Sequence, residues 1–267
     1  MLKQRLLTIL VALPIAILAI GYLPDKWFAA LTAVIIAICA WEWSQLIVIQ
    51  RPALRILYVV FILLTMGLTF IIPIIYWFSV AVVVWLWALG AVICFACGRS
   101  AWGFQHRTIK YIQGFLMLVP GWLAMNVLRN TSAGPALLIF VLILVWAVDS
   151  GAYIAGRLWG SHLLIPRVSP KKTWEGLVGG VVLALISAFI YGVAIDLSME
   201  SMLHLTELSF MTALFAVLGD LFESMLKRQA GIKDTGSILP GHGGFLDRFD
   251  SAIAALPIFA LGLLIFG

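Results

Sequence analysis

Residues Gly219–Ser251 read GDLFESMLKRQAGIKDTGSILPGHGGFLDRFDS, and the apolar runs on either side end against them. The stretch gathers Asp220, Glu223, Lys227, Arg228, Lys233, Asp234, His242, Asp247, Arg248 and Asp250 in a chain of 267 residues that is 63% hydrophobic and only 11% charged. So apolar a chain has little reason to concentrate charge in one place unless the charges do chemistry. Outward from it, stretches of about 17–25 apolar residues, enough to cross a bilayer, fill most of the sequence, and the mean hydropathy is +1.11. No polar block is long enough to fold as a separate soluble unit. The expectation is a single membrane domain over 1–267, with N-terminal spans in 1–130 and the chemistry in 131–267.

Nine spans are predicted, at 6–23, 27–49, 55–72, 74–97, 111–128, 135–156, 176–195, 208–224 and 251–266. Pro24, Pro52, Pro73 and Pro135 fall at or near their ends, where a missing N–H costs least. The spans are hydrophobic all round and lack the alternation of a barrel strand, so helices remain as the way to satisfy the backbone in lipid. The fold class is therefore all-α, a polytopic bundle of about nine transmembrane helices. Residues 1–23 resemble a signal peptide, but a second span follows almost at once and a retained first helix is expected. Trp27, Trp102, Trp159 and Trp174 sit near span ends as interfacial anchors.

Basic residues set the orientation. With the N-terminus in the cytoplasm, that side receives Lys3, Arg5, Arg51, Arg55, Arg99, Arg107, Lys110, Arg157, Arg167, Lys171, Lys172, Lys227, Arg228, Lys233 and Arg248. Only Lys26 and Arg129 of the 17 Lys and Arg remain outside, a strong positive-inside signal. The net charge of +5 therefore reads as topology and not as a nucleic-acid face. Cys94-Phe-Ala-Cys97 has redox or metal-ligand spacing, but no second pair or His cluster accompanies it, and it reads as small residues packing between helices. Gly176 and Gly180 form a small-xxx-small pair suited to close helix packing, within or between chains.

Three clusters carry possible chemistry. Asp149, in Trp146-Ala-Val-Asp149-Ser-Gly-Ala-Tyr153, follows a long run without a charge. A carboxylate near a helix centre costs about 2.5–3.5 kcal/mol on insertion scales, and its plainer explanation is a partner for a basic side chain. Ser169-Pro-Lys171-Lys172-Thr-Trp-Glu175-Gly176 places two lysines and two hydroxyls before a helix N-terminus, a seat for phosphate. It is not a Walker A loop, and lysines that only fix topology or touch headgroups are the alternative. In the third cluster, a helix continuing beyond span eight puts Asp220, Glu223, Ser224 and Lys227 on one face. Pro240-Gly241-His242-Gly243-Gly244 cannot be helical and lets the backbone approach a ligand. Asp247, Asp250 and Ser251 then open span nine. Hard oxygen ligands with few histidines suit Mg²⁺ and not zinc. A salt-bridge network between two helices is the structural alternative, but it does not need PGHGG.

These residues resemble the phosphatidate cytidylyltransferase (CDP-diacylglycerol synthase) family. Its signature is matched by Ser224-x-x-Lys227-Arg228, Lys233-Asp234, Pro240-Gly241-His242-Gly243-Gly244 and Asp247-Arg248-x-Asp250, with further likeness around Asp149 and Ser169–Gly176. The likeness spans roughly 149–251; the first five spans match only in being hydrophobic. It implies transfer of the cytidylyl group of CTP to phosphatidic acid with Mg²⁺, a second and monovalent cation such as K⁺ at the same centre, a homodimer, and residence in the cytoplasmic (inner) membrane of a bacterium. By the same resemblance Asp220 and Asp247 ligate the metal; Asp250 is expected at the metal site with them, behind the two direct ligands together with Glu223. Lys227, Arg228, His242 and Asp247 are assigned to catalysis, and Asp149, Ser169, Lys171, Lys172, Lys233 and Arg248 to substrate. A CTP-dependent polyprenol or lipid kinase and a membrane transporter are the competing readings. The kinase needs a base for its hydroxyl, and a transporter tends to place charges at the midplane of repeated halves.

Overall fold

A computed structural model describes residues 13–100, 103, 106–236 and 243–266. Among them helices dominate: α1 (Leu13–Tyr22), α2 (Asp25–Leu46), α3 (Pro52–Met66), α4 (Ile74–Ala96), α5 (Arg107–Arg129), α6 (Gly134–Trp159), α7 (Trp174–Ala194), α8 (Met199–Ala230) and α9 (Leu246–Phe266). Eight of these, all but α1, are long and apolar enough to cross a membrane, with the 3-10 turn Gly67–Phe70 extending α3. The chain is an integral membrane protein of the all-α class, as the hydrophobic runs predict. His242, Pro240, Gly241, Trp102, Lys3 and Arg5 lie outside the described residues.

Helices α5, α8 and α9 form the buried centre, while α3 and α7 turn apolar faces outward. On α7 the exposed residues Val178, Val182, Ile186, Phe189 and Val193 form a surface that suits lipid and not water. Trp27, Trp159 and Trp174 are all more than half exposed at helix ends, as interfacial anchors are. Phe222 of α8 stacks with Trp43 of α2 and meets the edge of Trp85 of α4, so the N-terminal helices are packed into the same core. Cys39 is buried, but Cys94 is half-buried and Cys97, just past α4, is exposed. The packing reading of that CxxC therefore fails for Cys97, which is exposed at the C-terminal cap of α4.

Two close backbone approaches position the polar end. A Cβ added at Gly151 of α6 would lie 2.4 Å from the Gly179 carbonyl oxygen of α7, and one at Gly180 would lie 2.7 Å from that of Val148. The small-residue pair Gly176/Gly180 thus serves contact within the chain. Similarly, a Cβ at Gly219 of α8 would meet the Asp250 carbonyl of α9 at 2.4 Å. Helix α8 is 32 residues long, about 48 Å at 1.5 Å per residue, and runs past the predicted span at both ends. It stops at Gly231, whose φ of 70° is left-handed, with the Ile232 amide donating to the Lys227 carbonyl in a glycine-terminated cap.

One local expectation changes. The segment before α7 is not a simple loop: β1 (Leu163–Ile165) pairs antiparallel with β2 (Ser169–Thr173), with an irregularity between the paired positions. The pairing satisfies backbone groups that a lone extended segment would leave to water. Thr173 then caps α7, its Oγ1 accepting from the Gly176 amide at 3.1 Å, which supplies one of the partners a helix start lacks.

Candidate active site

The C-terminal ends of α6 and α8, the hairpin, and the N-terminal ends of α7 and α9 meet around a cavity of about 410 Å³. Eight predicted site residues line it: Asp149, Lys171, Lys172, Asp220, Lys227, Asp247, Arg248 and Asp250. Val148, Ala152, Leu164, Leu177 and Val217 give the same cavity an apolar wall. Helix α6 supplies Asp149, β2 the two lysines, α8 Asp220 and Lys227, and α9 the remainder.

The charges are arranged as alternating pairs. Lys172 Nζ lies 2.5 Å from Asp220 Oδ2, and Asp220 Oδ1 accepts from the Ser224 hydroxyl at 3.3 Å. Lys227 Nζ donates to Glu223 Oε2 at 2.9 Å and to Asp247 Oδ1 at 2.8 Å. Glu223 is nearly inaccessible at 3% side-chain exposure, and its carboxyl interacts with Asp250. Asp149 has no hydrogen bond or ion pair among the described residues; it feels Asp220, Lys172 and Arg248 electrostatically. The salt-bridge network weighed as an alternative is therefore present, but it forms one wall of an open cavity.

Asp247 is held firmly. Its Oδ2 accepts from the Thr235 amide at 3.0 Å and from the Gly244 amide at 2.8 Å. Among the described residues Oδ1 accepts only from Lys227, which leaves a lone pair there for a ligand. The position suits a carboxylate, because the start of a helix favours negative charge.

Three predicted residues stand apart from the cavity lining. Arg228 Nε donates to the Val168 carbonyl at 3.3 Å, tying α8 to the hairpin turn. Lys233 is exposed beyond the end of α8, and Ser169 is half-buried at the start of β2. His242 is among the residues not described. Glu42, which sequence reasoning passed over, accepts from the Leu246 amide at 2.6 Å and touches the segment that carries Asp247.

The oxygen donors bear on the expected metal. Among the described residues no group of three or more His, Cys, Asp or Glu forms a metal cage. Mg²⁺ does not require one, since it uses one or two carboxylates and completes its shell with water and substrate phosphate. Asp220, about one-third exposed, and Asp247 through Oδ1 offer hard oxygens to one space, so the donor set fits such an ion.

Comparison with known proteins gives a family match over residues 3–266, to the model described as the cytidylyltransferase family. The chain is 36% identical over 262 residues to the phosphatidate cytidylyltransferase of Pseudomonas aeruginosa, covering 97% of this chain and 96% of that protein. It is 35% identical over 282 residues to the protein of the same name from Haemophilus influenzae, covering 97% and 98% respectively. The Bacillus subtilis protein of that name is 41% identical over 133 residues, half of this chain.

Proposed function

Because this chain belongs to the cytidylyltransferase family, we propose that it transfers the cytidylyl group of CTP to phosphatidic acid, giving CDP-diacylglycerol and pyrophosphate for phospholipid synthesis. The observation that carries this reading is the composition of one cavity. Lysines and aspartates line it together with the apolar side chains of Val148, Leu177 and Val217. A triphosphate and a phosphate headgroup suit the charged groups, and the glycerol part of a lipid suits the apolar ones.

In the reaction a phosphate oxygen of phosphatidic acid bonds to the α-phosphorus of CTP, and the bond from that phosphorus to the bridging β-oxygen breaks. Phosphate monoesters have a second pKa of about 6, so the attacking group is already mostly dianionic and needs no strong base. The barrier lies in bringing two anions together and in the charge that collects on pyrophosphate. Lys171, Lys172, Lys227 and Arg248 place fixed positive charge around that path. Lys172 and Lys227 are themselves steered by Asp220 and by Glu223 with Asp247, which keeps long side chains oriented before substrate arrives. Mg²⁺, held by Asp220 and Asp247 with Asp250 beside them, would add electrostatic stabilisation of the phosphates. A monovalent cation such as K⁺ at this centre belongs to the same proposal.

The charged end faces the cytoplasm of a bacterium across its inner membrane, a reading supported by the basic-residue count and by the need for CTP. A homodimer is part of the proposal, and light scattering of purified protein in detergent reads it by mass. The transfer itself is tested with phosphatidate, Mg²⁺ and CTP labelled at either the α- or the γ-phosphate. Lipid label from the α position alone is expected. Label from γ alone means a lipid kinase, and no transfer with phosphatidate still bound returns the site to transport.

A further inference from the structure

We propose that Glu42, on α2 in the N-terminal half, is a positioning residue for the transfer: it fixes the start of α9 and through it the place of Asp247. The inference rests on the cytidylyl-transfer reading above. Glu42 is fully buried near the C-terminal end of a helix that otherwise serves the core. Its Oε2 accepts from the Leu246 amide at 2.6 Å, across 204 positions of sequence. That amide is among the first of α9, where N–H groups have no partner within the helix. A carboxylate there is favoured both by charge-assisted hydrogen bonding and by the helix dipole.

Thr235 links this carboxylate to the cavity. Its hydroxyl donates to Glu42 Oε2 over a long 3.4 Å, while its amide donates to Asp247 Oδ2 at 3.0 Å. One turn further along α2, Gln45, with its amide oriented to satisfy both neighbours, donates to the Thr235 carbonyl at 3.2 Å and accepts from Arg55 at 3.0 Å. Helix α2 therefore grips both segments that hold Asp247: the one after α8 and the one opening α9. The seat is shaped for the carboxylate, since a Cβ added at Gly236 would lie 2.2 Å from Glu42 Oε1 and one at Gly244 would lie 2.7 Å from Oε2. Oε1 is buried without a hydrogen bond among the described residues. Packing alone gives no reason to keep so costly a group in an apolar helix.

The test compares the full-length wild type with Glu42→Ala, Glu42→Gln and Gly236→Ala, the last displacing the carboxylate without removing it. Steady-state kinetics with CTP and phosphatidate are measured beside thermal unfolding and amide hydrogen exchange over 243–250. Glu42→Ala and Gly236→Ala are expected to lose about 10–100-fold in kcat, the usual cost of removing a group that orients a site residue. Their KM for CTP changes little, because ground-state binding is not what is lost. Exchange over 243–250 rises while that of α6 and α7 does not. Glu42→Gln, which retains an acceptor oxygen, recovers most of kcat. A folded Glu42→Ala enzyme with wild-type kcat overturns the proposal. So does exchange that rises uniformly with activity tracking the folded fraction, or a Glu42→Gln enzyme as impaired as the alanine variant. If the wild type transfers no cytidylyl group, the reaction reading fails, and the exchange comparison alone decides whether Glu42 holds α9.

Discussion

Lys227 serves two carboxylates at once, and its surroundings decide what its loss would do. The side chain is 16% exposed, against 3% for Glu223 and 9% for Asp247. Removing one partner of a buried ionic group costs about 3–5 kcal/mol, because charge is left uncompensated. Lys227→Met is therefore expected to lower the unfolding temperature as well as to abolish turnover. Asp220→Asn, at a side chain one-third exposed, should abolish turnover while leaving the unfolding temperature close to wild type. Thermal unfolding in detergent beside a turnover assay separates the two, and near-normal activity in Asp220→Asn would sink its assignment as a metal ligand. Asp220, Lys227, Asp247 and Asp250 were legible in the sequence because helical spacing sets them on facing helix ends. Glu42 was not, since its partners Thr235 and Leu246 lie 193 and 204 positions away. One signal was available: Glu42, like Asp149, is an acidic residue in an apolar span, and the argument applied to Asp149 applies equally to it.

At the scale of elements, the site is the product of helix ends brought unusually close. Gly219 allows α8 to touch the backbone of α9 at Asp250, with no room for a Cβ at 2.4 Å. Gly219→Val should force the two helices apart at a cost of about 1–3 kcal/mol, the usual range for overpacking. Because Asp220 is the next residue, activity is expected to fall further than stability does. An unfolding curve paired with turnover checks this; wild-type turnover in the valine variant would mean that the α8–α9 contact does not set the site. The extension of α8 past its membrane span could be read from the i, i+3, i+4, i+7 placement of Asp220 through Lys227. The hairpin could not. Leu163–Ile165 is three residues long, too short for a period-two pattern, and the lysines of β2 read equally well as loop.

Over the whole molecule, an apolar exterior surrounds a centre of α5, α8 and α9, and the polar groups collect at one end. At the opposite end the buried Arg129 is satisfied by Asp25 at 2.7 Å and by the Ile20 carbonyl at 2.8 Å, which suits a structural and not a catalytic role. The alternation of helices places the C-termini of α2, α6 and α8 with the N-termini of α7 and α9, so residues from both halves of the chain converge on one face. That convergence is the central claim: a single site, open to one side, joins a nucleotide from water to a lipid from the bilayer. The most direct measurement uses protein in sealed vesicles of known orientation, with α-labelled CTP confined to one side and phosphatidate in the membrane. Label is expected in lipid only when CTP meets the face that carries the α8–α9 junction. Transfer from the opposite face, equal transfer from both, or no lipid label at all would contradict it.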